Sequence, residues 1–397
     1  MKVRVSSGFS IGVLLVALSL WIAGCASAVQ PTPTTTSKGP AAEATKPAAQ
    51  PTSAAPEAKP ATPAASAPAQ GQPAAKPAGE APQQQAKISF GMIAHVATSP
   101  TYVALEKGYM KEQGIDLSVN TFPDTVQVMT LIATGKIQLG QVTLGAAALN
   151  SFARKTDMVI IASANQDPPG PSLTTPVVIR KDLIDSGQVK TVADLKGKKI
   201  ALNGKGTVME WEMGKMLENG GLKIEDVDVP IMPWPDMIPA LSNKAIDGGM
   251  IAEPLATQAV AKGVGVKFEN YRLPAAQLGT IMANKVWAKE NPQLVRNFLV
   301  AYLKAVREMN NGKMKDDPKT LEIISSFTKT PVTTLKEMPA LHWDNNGRVV
   351  KESILDIQKF MIDRKSVQYT DPMPISDLVD ESYLDQALAV IGTAPKQ

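Results

Sequence analysis

Val192-Ala193-Asp194-Leu195-Lys196-Gly197-Lys198-Lys199-Ile200-Ala201-Leu202 is the stretch at which the chain begins its pattern a second time. It reads as a short helical turn followed by a strand. Gly204-Lys205-Gly206-Thr207 follows as a loop, and Val208 to Asn219 as a helix stopped by Gly220-Gly221. Beyond it, Val227 to Met232 reads as a strand and Pro235 to Asn243 as a helix opening at Asp236. Ala245 to Ile251 is a strand, Pro254 to Lys262 a helix and Val264 to Phe268 a strand. Short apolar runs alternating with helical patterns mark an α/β fold.

The same alternation runs upstream. Lys87 to Ile93 reads as a strand. Ser99 has the character of a helix N-cap with Pro100 at the first helical position, and the helix runs to about Glu112 before Gly114. Ile115 to Thr121 is a strand, Thr125 to Thr134 a helix, Ile137 to Val142 a strand and Gly145 to Lys155 a helix. Val159 to Ala164 and Pro176 to Arg180 are strands. Downstream of Leu273 the texture changes. Thr280 to Val286 is a strand-like return, and Asn291-Pro292 starts a long helix through Asn310. Its Leu294, Phe298, Leu299, Tyr302, Leu303 and Val306 share one face. The remainder to about Leu388 is mostly helical. Residues 87–397 are too many for one core, so two lobes are expected.

The N-terminus is different material. Lys2 and Arg4 precede an apolar run from Ile11 to Ile22, which is short for a membrane span and suited to a signal-peptide core. Ile22-Ala23-Gly24-Cys25 resembles the bacterial lipobox, which implies cleavage before Cys25 and lipidation of its thiol. Ala26 to Ala86 is rich in Ala, Pro, Thr, Gln and Ser and has no aromatic residue. Such a segment cannot bury enough apolar surface to offset its conformational entropy, and it reads as a disordered tether.

Composition removes several functions. Cys25 is the only cysteine, so internal disulfides and thiolate metal clusters are excluded, and His95 and His342 are the only histidines. No metal site and no cofactor are expected. A formal charge of +4 over 397 residues and 5% aromatics do not make a nucleic-acid surface. Gly204-Lys205-Gly206-Thr207 lacks the order and spacing of a nucleotide-binding loop. No Gly-x-Ser-x-Gly elbow supports a serine hydrolase.

Several segments resemble the substrate-binding proteins of the nitrate, sulfonate, taurine and thiamine-precursor importers. Ser99-Pro100-Thr101-Tyr102-Val103-Ala104-Leu105-Glu106-Lys107-Gly108-Tyr109 through Gly114-Ile115 is similar to that family's opening helix and turn. Gly135-Lys136-Ile137-Gln138-Leu139-Gly140 matches a later step, with Gln138 where aspartate is usual. Asp194 to Ile200, Ala240-Leu241-Ser242-Asn243-Lys244-Ala245-Ile246-Asp247-Gly248-Gly249, and Glu253-Pro254 follow in the family's order.

The resemblance implies a type II periplasmic-binding-protein fold: two α/β lobes, a central cleft, and a two-strand hinge near Val177-Arg180 and Leu273-Met282. It divides the chain into a leader (1–25), a tether (26–86), the first part of lobe I (87–178), lobe II (179–274), and a return to lobe I with C-terminal helices (275–397). It also implies an extracytoplasmic, lipid-anchored, monomeric protein that captures a small solute for an ABC permease and ATPase. A ligand-sensing module for a membrane receptor is the alternative. An enzyme on this fold is disfavoured by the single cysteine.

In open α/β sheets ligands lie beyond the carboxyl ends of strands, where helix N-termini offer unpaired amides. By the resemblance the loops His95 to Tyr102, Thr143 to Ala146, Asn203 to Val208, Pro233 to Met237 and Ala252 to Pro254 line the cleft. The candidate contacts are His95, Ser99, Thr101, Tyr102, Thr143, Gly204, Thr207, Trp234, Asp236 and Glu253. Ser99 and Asp236 also read as plain helix caps, Glu253 as a helix start, and Trp211 as packing. No arginine cluster marks these loops. A small anion held by helix ends and a flat ring against Trp234 and Tyr102 both remain open, with nitrate, sulfonate and a pyrimidine or aromatic compound as candidates.

Overall fold

The computed structural model describes residues 85–395. The leader, Cys25 and residues 26–84 of the expected tether lie outside the described residues. The described residues hold nine strands: β1 (Ala86–Met92), β2 (Ile115–Thr121), β3 (Leu139–Thr143), β4 (Met158–Asp167), β5 (Val177–Arg180), β6 (Ile200–Ala201), β7 (Gly248–Met250), β8 (Gly265–Lys267) and β9 (Ala276–Asn284). They form two sheets, ordered β2-β1-β3-β9-β4 and β6-β7-β5-β8. Each sheet has helices on its faces and its own buried apolar cluster, and a third cluster runs between them. The fold is therefore the two-lobed α/β arrangement expected from the restart at Val192.

The larger sheet is mixed. β1 runs parallel to β2 and β3, while β9 lies antiparallel between β3 and β4. β4 and β9 are buried along their whole lengths, which is why their sequences lack a polar-out alternation. The helix Pro292–Glu308 covers this sheet with one apolar face. Phe298 stacks on Phe90 at 5.4 Å between ring centroids, and the Tyr302 hydroxyl donates to the Ala164 carbonyl at 2.9 Å.

The lobes are joined by residues 168–176, between β4 and β5, and residues 268–275, between β8 and β9. Gly170 and Leu273 exchange two backbone hydrogen bonds, at 3.0 and 2.9 Å, so the two connections brace each other. Val177–Arg180, expected as a crossing, already lies inside the second sheet. The helix Lys351–Asp363 reaches back to the second lobe: Trp211 Nε1 donates to Asp356 at 2.9 Å, and Arg364 pairs with Glu210 at 2.9 Å. Trp211 is thus a buried packing residue with a satisfied ring nitrogen.

Three local expectations change. The first helix is a 3-10 turn, Val96–Thr98, then Ser99–Glu106, and it breaks at Gly108 (φ 79°) before Tyr109–Glu112. The strand expected over Val227 to Met232 makes only isolated bridges, Asp228 with Lys199 and Ile231 with Leu202. Pro230 sits between them and has no N–H to give a ladder. The helix expected to open at Asp236 is Trp234–Ser242, with Asp236 inside its first turn.

Candidate functional site

A pocket opens between the two sheets, enclosing about 630 Å³ of empty space with its mouth included. Ile93, His95, Gln141, Thr143, Asn165 and Leu278 line it from the first lobe; Val208, Met209, Trp234 and Ala252 line it from the second; Thr174 and Thr175 come from the connection. Three helix N-termini open on it: Thr125 begins Thr125–Ala133, Val208 begins Val208–Glu218, and Trp234 begins Trp234–Ser242. Their first amides carry partial positive charge toward the pocket. None of the lining residues is Lys, Arg, Asp or Glu.

The lobes touch across the cleft. The Ala146 amide donates to the Gly206 carbonyl at 2.8 Å, and Gly145 and Thr207 form an antiparallel bridge. A Cβ on Gly145 would sit 2.8 Å from the Gly206 carbonyl oxygen, so only glycine permits this approach. The rings of His95 and Trp234 face each other from opposite lobes at 6.1 Å.

His95 is built for position rather than charge. It caps the 3-10 turn Val96–Thr98, its Nδ1 accepting from the Ala97 amide at 3.1 Å. Burial lowers its pKa to about 4, against a hydrogen bond to the Glu253 backbone that pulls the other way. The imidazole is neutral at physiological pH. Trp343, buried, donates from Nε1 to the Ala97 carbonyl at 3.1 Å and steadies the same turn.

Behind Thr174 and Thr175 lies a buried carboxyl pair. Asp167, at the end of β4, accepts from the Ser172 and Thr174 hydroxyls, both at 2.8 Å, and from the Leu173 and Thr174 amides at 2.8 and 3.1 Å. Glu212, fully buried on the Val208–Glu218 helix, accepts from the Thr175 hydroxyl at 2.9 Å. Burial pushes both carboxyls up, and the charge of Asp167 pushes Glu212 further, to about 8. Glu212 therefore holds its proton at neutral pH.

Of the ten candidate contacts, the pocket brings together His95, Thr143 and Trp234. Seven lie away from it, each for a physical reason. Ser99 is buried inside its helix and its hydroxyl donates to the Val96 carbonyl at 2.6 Å, so it is no cap. Thr101 is buried within the same helix. Tyr102 is no cleft wall, because its ring stacks on Phe327 at 3.9 Å in the core of the first lobe. Gly204 accepts from Thr207, whose own hydroxyl caps the Val208–Glu218 helix at the Glu210 amide. Asp236 is exposed in the first turn of its helix. Glu253 turns its carboxylate to Lys267 at 2.5 Å and to the Thr257 amide at 3.1 Å.

The lining residues outside the candidates include Gln141, Asn165, Thr174 and Thr175. Gln141 sits in a strand interior, where a buried polar residue amid apolar neighbours is the signal that was there to read, whereas Asn165 lies in the polar run Asn165-Gln166-Asp167 and has no such contrast. Gln141 Oε1 and Trp234 Nε1 are buried without a hydrogen-bond partner. Among the described residues, no group of three or more His, Cys, Asp or Glu side chains is placed to hold a metal ion.

Comparison with known proteins places this geometry. The chain is 27% identical over 328 residues to the nitrate/nitrite binding protein NrtA of Synechococcus elongatus, covering 73% of this chain and 70% of that one. It is 26% identical over 263 residues to a putative aliphatic sulfonates-binding protein of Escherichia coli, covering 64% of this chain and 77% of that one. The crystal structure of the periplasmic aliphatic sulphonate binding protein SsuA from Escherichia coli superposes with a TM-score of 0.60 at 16% identity, over 74% of this chain and 92% of that one. The family model described as NMT1/THI5 like matches residues 96–312, more than half of the chain, and the chain belongs to that family.

Proposed function

We propose that this protein is an extracytoplasmic solute-binding component of an ABC importer, which captures a small solute between its lobes and delivers it to a permease. The observation that carries the reading is a pocket walled by both lobes, which also meet through the Ala146–Gly206 hydrogen bond. Closing two lobes on a solute is a hinge motion, and two braced backbone connections supply a hinge. The relatives named as nitrate- and sulfonate-binding support the same class of function. In this reading residues 1–25 are a signal peptide, Cys25 carries the lipid, and residues 26–86 tether the lobes, with no catalysis and a monomeric state. His95, Thr143 and Trp234 are the proposed ligand contacts from the sequence, joined by Gln141, Asn165, Thr174 and Thr175.

The test is a thermal-shift panel of nitrate, sulfonates, taurine and pyrimidines on the purified full chain. A solute at 100-fold its dissociation constant stabilises by about 2.7 kcal/mol and raises the melting temperature by about 4 °C. At least one member of the panel should do so. A melting point unmoved by all of them contradicts capture of a solute from these classes.

A further inference from the structure

We infer that the cleft selects an uncharged solute that donates hydrogen bonds and rejects oxyanions, because Asp167 and Glu212 hold the Thr174 and Thr175 hydroxyl hydrogens away from it. This rests on the solute-capture reading and names the ligand class of the same pocket.

A threonine hydroxyl has one hydrogen and two lone pairs. Thr174 gives its hydrogen to Asp167 at 2.8 Å. Thr175 has two acceptors, Glu212 Oε2 at 2.9 Å and Ser172 Oγ at 3.2 Å, neither of which lines the pocket, and Ser172 in turn donates to Asp167. If Glu212 is protonated and donates to Thr175, the Thr175 hydrogen still has Ser172 to go to. In both protonation states the Thr174 and Thr175 hydrogens have acceptors within the protein, and what these two hydroxyls have left to offer is lone pairs. Gln141 adds an unpartnered buried carbonyl oxygen to the same lining.

The charge balance points the same way. No cationic side chain lines the pocket, and His95 is neutral with Nδ1 already occupied. The three helix ends offer partial positive charge, but a carboxylate lies one hydroxyl behind the threonine wall. An oxyanion brings only acceptors and would face Thr174, Thr175 and Gln141 lone pair to lone pair. Leaving such groups unpaired in a buried site is what discriminates most strongly between ligands. A solute with an N–H donor satisfies them, and one acceptor on it meets the unpartnered Trp234 Nε1–H.

Calorimetry on the purified full chain at pH 7 tests this with nicotinamide and uracil as uncharged probes and nitrate and methanesulfonate as anions. The expected result is at least one uncharged probe binding about 100-fold more tightly than either anion. Thr175→Val should weaken that probe about tenfold, while Thr175→Ser, which keeps the hydroxyl, should restore it to within about threefold. A purely structural role for Thr175 would not divide the two variants this way. An anion binding more tightly than both uncharged probes overturns the inference and leaves solute capture standing. Failure of both uncharged probes, or indifference to Thr175→Val, also overturns it. Capture of a nitrate, sulfonate, taurine or pyrimidine solute falls separately, only if the thermal-shift panel is flat.

Discussion

Half-buried His95 and fully buried Glu212 are titratable groups whose pKa values move in opposite directions, and each leaves a different mark on stability. His95 titrates at about 4 in the fold and near 6.5 when unfolded. As pH falls below 6.5 the unfolded chain takes up a proton that the fold refuses, so stability drops, by up to about 3 kcal/mol, until pH reaches about 4. His95→Gln should remove that part of the acid-side loss, read as the difference between variant and parent in urea unfolding at pH 7 and pH 4.5. Glu212 titrates at about 8 in the fold, above its ordinary 4.5. Its contribution is fully present below 4.5 and is lost as pH rises through 8. Glu212→Gln should gain stability relative to the parent between pH 5 and pH 8.5; a constant difference across that range would show that Glu212 is not held protonated. Of these site residues, His95 was legible because a lone histidine follows a strand. Glu212 was not, since a glutamate on an amphipathic helix ordinarily reads as solvated, and only the fold brings it beside Asp167.

Elements position the site through their ends. The loop before the helix Ala146–Ala153 and the loop before Val208–Glu218 meet because Gly145 has no side chain. Gly145→Val should therefore hold the cleft open and weaken solute binding about tenfold or more, while the melting temperature without solute changes little. Unchanged affinity would show that the contact is incidental to binding. Strands and helices were largely legible because burial on both faces and one-sided apolar stripes leave direct marks on the sequence. The exceptions are instructive. Val227 to Met232 has strand composition, yet Pro230 denies it a ladder. Ser99-Pro100 looks like a capped start, yet the 3-10 turn capped by His95 begins the helical run three residues earlier. Tyr102 follows a strand in sequence, but helix rotation turns its ring into the core. Loops that reach the cleft can be named from order alone; which side chain on a loop faces inward depends on rotation, and sequence does not carry it.

At the scale of the whole molecule, two sheets share one pocket, two braced connections and a returning C-terminal helix. The two-lobed plan was legible from the restart at Val192 and the return beyond Leu273. The crossing at residues 168–176 was not, because its Pro-Pro-Gly and Ser-Leu-Thr-Thr texture reads as an ordinary loop, and its threonines gain meaning only once Asp167 and Glu212 are behind them. Capture requires the lobes to close on a solute. Spin labels at Val126 and Lys262, both exposed and on opposite lobes, report it in the full chain with Cys25→Ser, measured by pulsed dipolar spectroscopy. The distance distribution should shorten and narrow when the solute identified by thermal shift is added. Identical distributions with and without that solute would contradict closure.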